Sequence, residues 1–174
     1  MISFNSKIYI AGHNGMVGSA CWRALEAKGY KNIIGFGSKE LDLRDQIAVF
    51  EVFESEKPVV IIDAAAKVGG ILANSQNPYE FLMDNMLIQN NLIRTAHELN
   101  IPKFVFLGSS CIYPKMAPQP LKEEYLLTGP LEETNQWYAI AKISGVKLIE
   151  ALRDQYNRDY VSLMPTNLFG PGDN

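Results

Sequence analysis

The glycines of Gly12-x-x-Gly15-x-x-Gly18 follow the apolar run Lys7-Ile8-Tyr9-Ile10-Ala11 and open an amphipathic stretch that reaches Gly29. A strand that ends in glycines at this spacing and continues as a helix has few structural solutions. Gly12 permits the tight turn, Gly15 lets an anion approach the backbone, and Gly18 lets the helix pack closely on the strand, while unpaired N–H groups at the helix start hold the anion. The pattern predicts the first strand and helix of a parallel α/β domain that binds a dinucleotide. Gly12, Asn14, Gly15, Met16, Val17 and Gly18 are the residues expected around the pyrophosphate. His13 is read as support for the loop backbone, because the phosphate end of a dinucleotide lies far from the reacting carbon.

The rest of the chain continues the alternation. Strands are expected at 7–11, 32–36, 59–63, 104–107 and 160–164, and helices from the glycine loop to Gly29 and over 45–56, 77–100 and 135–158. Each strand reads as apolar on both faces, the sign of a parallel sheet covered by helices on two sides. The predicted fold is therefore α/β, a doubly wound parallel sheet, with an exposed Pro-rich loop over 114–130. At 174 residues and 47% hydrophobic content the chain has enough apolar material for one domain, spanning 1–174. A net charge of -3 gives no electrostatic reason to expect nucleic acid or an anionic membrane. Two cysteines make no disulfide framework, and the N-terminus lacks the layout of a secretory signal, so a cytoplasmic location is expected.

The long helices beginning at Asn77 and Asn135 carry apolar residues around most of their circumference. A helix lying on a sheet needs one apolar stripe, so this pattern implies a second burial partner. Either the helices pair with those of a second copy, giving a homodimer, or they sit in a thick monomer core.

Chemistry-bearing residues gather at the predicted carboxyl ends of the strands. The second strand ends in Gly35-Phe36-Gly37-Ser38-Lys39, with no carboxylate to grip a ribose 2′-hydroxyl. Ser38 and Lys39 suit a 2′-phosphate, which favours NADP over NAD, although Glu40 and Asp42 follow closely; Asp42 has a second reading as an adenine contact. The strand at 104–107 runs into Gly108-Ser109-Ser110-Cys111. Tyr138 and Lys142 stand four residues apart, on one face of a helix. A phenol near pKa ~10 is a poor acid-base catalyst at neutral pH, and a neighbouring ammonium is expected to lower it. Cys111, taken alone, reads as a small buried residue at a strand end; Cys21 reads as core.

The glycine loop, the strand ending in serine and the Tyr-x-x-x-Lys pair resemble the extended short-chain dehydrogenase/reductases. Four segments narrow the resemblance to the GDP-L-fucose synthase group of that family: Ala64-Ala65-Ala66-Lys67-Val68-Gly69-Gly70, Gly108-Ser109-Ser110-Cys111-Ile112-Tyr113-Pro114, Tyr138-Ala139-Ile140-Ala141-Lys142, and Met164-Pro165-Thr166-Asn167-Leu168-Phe169-Gly170-Pro171. The resemblance implies an NADPH-dependent oxidoreductase and isomerase that inverts C3 and C5 of GDP-4-keto-6-deoxy-D-mannose and then reduces C4. It gives Ser109, Cys111, Tyr138 and Lys142 catalytic roles. Leu107, Gly108, Lys142, Pro165, Asn167 and Leu168 would join the cofactor site, and Ser110, Cys111 and Asn167 would meet the sugar. No metal is implied. A sugar-nucleotide dehydratase would carry an Asp-Glu pair where this chain has Ser110-Cys111, and a 4-epimerase usually keeps NAD.

The sequence departs from the group at Asn14 and Ser38, where relatives often carry Arg against the cofactor, and at Trp137, where Pro occurs. The group's acid-base partner for Cys111 is a His beyond the Asn167 segment, and most of its substrate domain lies further on. His13 and His97 are the chain's two histidines, and neither is suitably placed. The expectation is a cofactor domain that stops before the substrate domain, whether as part of a longer chain, a split subunit or a non-catalytic relative. Another nucleotide-sugar epimerase or dehydratase of the same superfamily, or a non-catalytic NADP-binding fragment, is the alternative reading.

Overall fold

The computed structural model describes residues 2–172. Five parallel strands, β1 (Ile8–Ala11), β2 (Ile33–Ile34), β3 (Val60–Asp63), β4 (Lys103–Leu107) and β5 (Asp159–Leu163), form one sheet in the order β2-β1-β3-β4-β5. The helices are α1 (Met16–Ala27), α2 (Gln46–Glu56), α3 (Ile71–Gln76), α4 (Pro78–Glu98) and α5 (Gln136–Tyr156). The strand order reverses direction between β1 and β3, so the loops leaving these two strands part and open a crevice at the carboxyl edge, where such sheets bind ligands. The doubly wound parallel architecture expected from the sequence is present.

Sequence explains most of the element boundaries. Asp45 caps α2 by accepting the amides of Ile47 and Ala48, and Pro78 opens α4 at a position where a missing N–H costs nothing. Two cores fill the two sides of the sheet. The larger holds Tyr9, Ile61, Phe104, Phe106 and Tyr160 beneath α2, α4 and α5, and the smaller packs Ile8, Ile10 and Val60 against Cys21, Trp22 and Leu25 of α1. Cys21 is a partly buried member of that smaller core.

Three expectations need correction. The second strand is cut to Ile33–Ile34, and the Gly35 that follows lies directly against the His13 ring, which leaves no room for a side chain there. The short helix α3 carries too few turns to show an apolar period and is absent from the reading of the sequence. β5 is not buried on both faces: Tyr160 is enclosed, but on the α1 side Val161 is half-buried and Leu163 is 47% exposed, since α1 reaches β1 and β3 and no described helix covers β5 there.

The all-round apolar surfaces of the long helices have a partly internal explanation. α4 and α5 lie side by side and bury Leu92, Ile93, Ala96, Ile143, Val146 and Ile149 in the large core, and α4 also packs on α2. Met83 and Leu87 of α4 and Ile140 and Tyr156 of α5 remain exposed. No helix among the described residues is long and apolar enough to cross a membrane.

Close packing at the glycine loop is the most fragile point. Gly12 has φ +71°, and a Cβ there would lie 2.7 Å from the Ala64 carbonyl; a Cβ on Gly18 would collide with the Gly12 carbonyl. Gly18→Ala is expected to cost about 1–3 kcal/mol of stability by overpacking, read as a fall in the denaturant midpoint with unchanged slope.

Candidate active site

Two clefts share the carboxyl edge. The first, of about 810 Å³, lies between the loop after β1 and the loop after β3, with Gly12, Asn14, Gly15, Met16 and Val17 on one wall and Ala64 to Val68 on the other. Its floor is the start of α1, a 12-residue helix whose first amides have no acceptor within the helix. Gly15 contributes an exposed backbone, and a Cβ there would crowd the Gly12 carbonyl at 3.3 Å. A glycine-walled crevice ending on a helix N-terminus fits a dinucleotide pyrophosphate. His13 also lines this opening, with its ring tilted against Trp22 at 5.8 Å and its Nδ1 buried, in keeping with a supporting role.

At the far end of this cleft the structure brings Ser38 and Asp42 to the wall, while Lys39 is exposed and does not line it. The sequence reading missed the cations of this wall, Arg44 and Lys67. Arg44 forks onto Asp42, Nε–Oδ1 3.0 Å and Nη2–Oδ2 2.8 Å, and also lies 3.5 Å from Asp84. Lys67 reaches the same Asp84 at 2.8 Å. The Arg44 guanidinium holds the Asp42 carboxyl below its ordinary range. Asn85 fixes the Lys67 backbone from both sides, accepting its N–H at 2.9 Å and donating to its carbonyl at 3.0 Å.

The second cleft, of about 530 Å³, gathers Ser109, Ser110, Cys111, Tyr138 and Asn167 from three separate stretches of sequence. Ser109 lies two residues past the end of β4 and its side chain accepts the Cys111 N–H, bending the chain into a short turn, and Ser110 N–H bonds the Pro165 carbonyl. That last bond ties the turn to the segment carrying Asn167. Gly145 brings α5 close to β4, since any Cβ there would overlap the Phe106 ring. Lys142 is thereby delivered to the sheet: it is 3% exposed, donates to the Leu107 carbonyl at 2.8 Å and sits over Phe106 at 4.7 Å. Gly108 is buried below the site, and Leu168 is exposed and lines neither cleft.

The electrostatics correct one expectation. The Tyr138 phenol is pushed up, not down, by burial, by Cys111 and by Asp63. Lys142 lies 5.8 Å from the Tyr138 ring centre with its ammonium spent on Leu107, so it does not offset the burial. Burial also pushes the Cys111 thiol up, with the Ser109 hydroxyl and Lys142 acting against it, and pushes Lys142 down, opposed by Asp63 and Cys111. Both Tyr138 and Cys111 are thus held in their protonated forms at neutral pH. Neither histidine is near them, for His97 is held by Arg158 at 3.1 Å and stacked on Tyr156.

Asn74 of α3 and Asn135 before α5 also line the second cleft, and both were overlooked. Each has a buried Oδ1 without a partner; Asn74 is 5% exposed and its amide is fixed on the Gly69 and Gly70 carbonyls. No group of three metal-ligating side chains is found among the described residues.

The chain is similar to known proteins throughout its length. It is 54% identical over 170 residues to GDP-L-fucose synthase 1 of Arabidopsis thaliana, covering 98% of this chain and 53% of the relative. It is 53% identical over 168 residues to GDP-L-fucose synthase of Escherichia coli (strain K12), covering 97% and 52%. Among solved structures, a GDP-mannoheptose C4 reductase from Campylobacter jejuni with NADP bound superposes with a TM-score of 0.96 at 39% identity, over 100% of this chain and 55% of that one. The chain therefore spans about half the length of the relatives it matches. The profile described as the NAD dependent epimerase/dehydratase family matches residues 8–174, and with the glycine-walled crevice and the Ser109, Tyr138 and Lys142 grouping it places the chain in that family.

Proposed function

We propose that this chain is the NADP-binding part of a GDP-L-fucose synthase, an oxidoreductase and isomerase that converts GDP-4-keto-6-deoxy-D-mannose to GDP-L-fucose. The observation that carries this reading is the convergence of Ser109, Cys111 and Tyr138 on one cleft beside the dinucleotide crevice. The 54% identity to a plant enzyme of that name supports the substrate. Reading 1–174 as a cofactor domain, with the sugar-recognising residues elsewhere, accords with the half-length match.

The glycine loop and the α1 amides would hold the pyrophosphate, Ser38 and Arg44 the 2′-phosphate, and Asn167, Pro165 and the Leu107-Gly108 backbone the nicotinamide end. Bound there, NADPH supplies the hydride for the C4 ketone. The remaining work falls to the chain. A C4 ketone acidifies the hydrogens on C3 and C5, and Cys111, protonated at neutral pH, delivers a proton to the carbon from which a base elsewhere has removed one. Tyr138 gives its proton to the C4 oxygen as that oxygen gains charge, and Ser109 hydrogen-bonds the same oxygen. Lys142 places a cation behind Tyr138 and holds the nicotinamide ribose. Asn74 and Asn135, with free acceptor oxygens, pair with sugar hydroxyls.

The full-length protein is expected to oxidise NADPH with GDP-4-keto-6-deoxy-D-mannose and not with GDP-mannose, followed by loss of absorbance at about 340 nm. Binding of NADPH without turnover on any 4-keto nucleotide sugar would overturn the reading. Arg44→Leu is expected to weaken NADPH about tenfold, the worth of one charge-assisted hydrogen bond, and to leave NADH unchanged. Fluorescence titration of both nucleotides checks it. A homodimer through the exposed residues of α4 and α5 completes the proposal, and a cytoplasmic enzyme fits the reduced cysteines.

A further inference from the structure

Two charged side chains are buried among the described residues, Lys142 at 3% exposure and Asp63 at 0%. Lys142 belongs to the proposed reductive set, whereas Asp63, the last residue of β3, has no part in it. A carboxylate shut away from water is costly unless hydrogen bonds or a charge compensate it. Hydrogen bonding does so only in part: Oδ1 accepts the Ala65 N–H at 3.2 Å, and Oδ2 has no hydrogen-bond partner. The missing compensation is electrostatic. Asp63 pairs in register with Phe106 of β4, and the Lys142 ammonium stands 4.7 Å above the centre of that ring. The two charges therefore share one neighbour inside the fold.

The groups around Asp63 act in a consistent direction. From α5, Lys142 favours the Asp63 carboxylate, and Asp63 in turn favours the Lys142 ammonium and disfavours the Tyr138 phenolate. From β1, the Tyr9 phenol is pushed up by burial and, in the same direction, by the Asp63 carboxylate. The turn after β4 brings Cys111, which acts on Lys142 and Tyr138, and α4 brings no titratable group that acts on Asp63.

We infer that Asp63 is a positioning residue for the reduction, its buried carboxylate holding Lys142 as the ammonium and Tyr138 as the protonated phenol. The inference rests on the reductase reading, which gives this pair its task. Forming an alcohol from a ketone takes up one proton at the new alkoxide, so the donor must stand protonated before transfer. Burial and Cys111 already keep the Tyr138 phenol protonated and Asp63 adds to them, while Lys142, which burial pushes toward the neutral amine, needs the opposing carboxylate to stay an ammonium.

Asp63 also leaves a signature that requires no turnover. Burial raises its carboxyl to about 6. In an unfolded chain the same group ionises near about 4, so the folded chain retains a proton through that interval and the Asp63 contribution to stability declines as pH rises from about 4 to 6. Above both values the penalty is complete, and below both it is absent.

The experiment compares four full-length proteins: wild type, Asp63→Asn, Lys142→Met and the double variant. Melting temperature is followed from pH 4 to 9. Asp63→Asn is expected to gain several degrees over wild type as pH rises through about 4–6; in the Lys142→Met background the gain should begin at the same pH, set by the unfolded chain, but continue to about one pH unit or more higher and end larger, because the cation that favoured ionisation is gone. Identical windows in the two backgrounds, or no gain in either, would overturn the inference. The second arm is the pH profile of kcat/KM: Asp63→Asn is expected to move the alkaline limb about one unit or more to lower pH, since Lys142, already pushed down by burial, then loses its proton earlier. A limb that superimposes on wild type overturns the inference as well. If wild type shows no turnover, it is the reductase reading that fails, and the melting series alone decides the coupling of Asp63 to Lys142.

Discussion

Tyr138→Phe is expected to lower turnover of the full-length protein by about 10²–10⁴-fold, the range over which a positioned proton donor contributes to catalysis. The substitution removes one oxygen from a side chain held on α5 and leaves the aromatic ring to fill its place beside Cys111 and Asn167. Folding and NADPH affinity should therefore be close to wild type. The loss belongs to kcat, because the phenol proton meets the C4 oxygen only as charge develops there. Stopped-flow single-turnover measurements with saturating NADPH separate this outcome from a binding defect. Since burial, Cys111 and Asp63 raise the Tyr138 phenol, the wild-type enzyme should keep its donor protonated across neutral pH, and its kcat should show no alkaline limb from Tyr138 near neutrality.

Cys111→Ala is expected to change the product as well as the rate. The thiol is half-buried in the turn after β4, with its pKa raised, so it enters the reaction holding a proton to give. Without it, inversion at C3 and C5 should fall by about 10²–10⁴-fold, while Ser109, Tyr138 and Lys142 remain in place for reduction at C4. NADPH oxidation would continue at a reduced rate and yield a 6-deoxyhexose with uninverted C3 and C5. Product NMR distinguishes the two sugars. GDP-L-fucose as the main product of Cys111→Ala would remove the thiol from the epimerisation.

The glycine loop was legible because its residues are required by local geometry: Gly12 must turn with φ +71° and Gly18 must lie under a carbonyl. Asp45 likewise announced α2 by a cap whose partners are two and three residues away. The second cleft was legible through Ser109, Cys111, Tyr138 and Asn167, which the resemblance assigned together and the fold brings together. What escaped depends on contacts across the chain. β2 ends at Ile34, and the demand for glycine at position 35 comes from His13, 22 positions earlier, a contact that no strand propensity reports. Arg44 and Lys67 reach the cofactor crevice from different loops through a shared Asp84. Asn74 rides on a helix too short to show a period, and its free oxygen is visible only once its amide is seen to be occupied. The direction of the Tyr138 shift was misread for the same reason, since Lys142 is adjacent on the helix but its ammonium is committed to Leu107, and Asp63 enters from β3.

The central claim is that one site exchanges protons at C3 and C5 and adds hydride at C4. Running the full-length protein in D₂O with unlabelled NADPH and reading the product by NMR tests this directly. The account predicts GDP-L-fucose carrying solvent deuterium at C3 and C5 and protium at C4. Protium at C3 and C5, or solvent deuterium at C4, would contradict it.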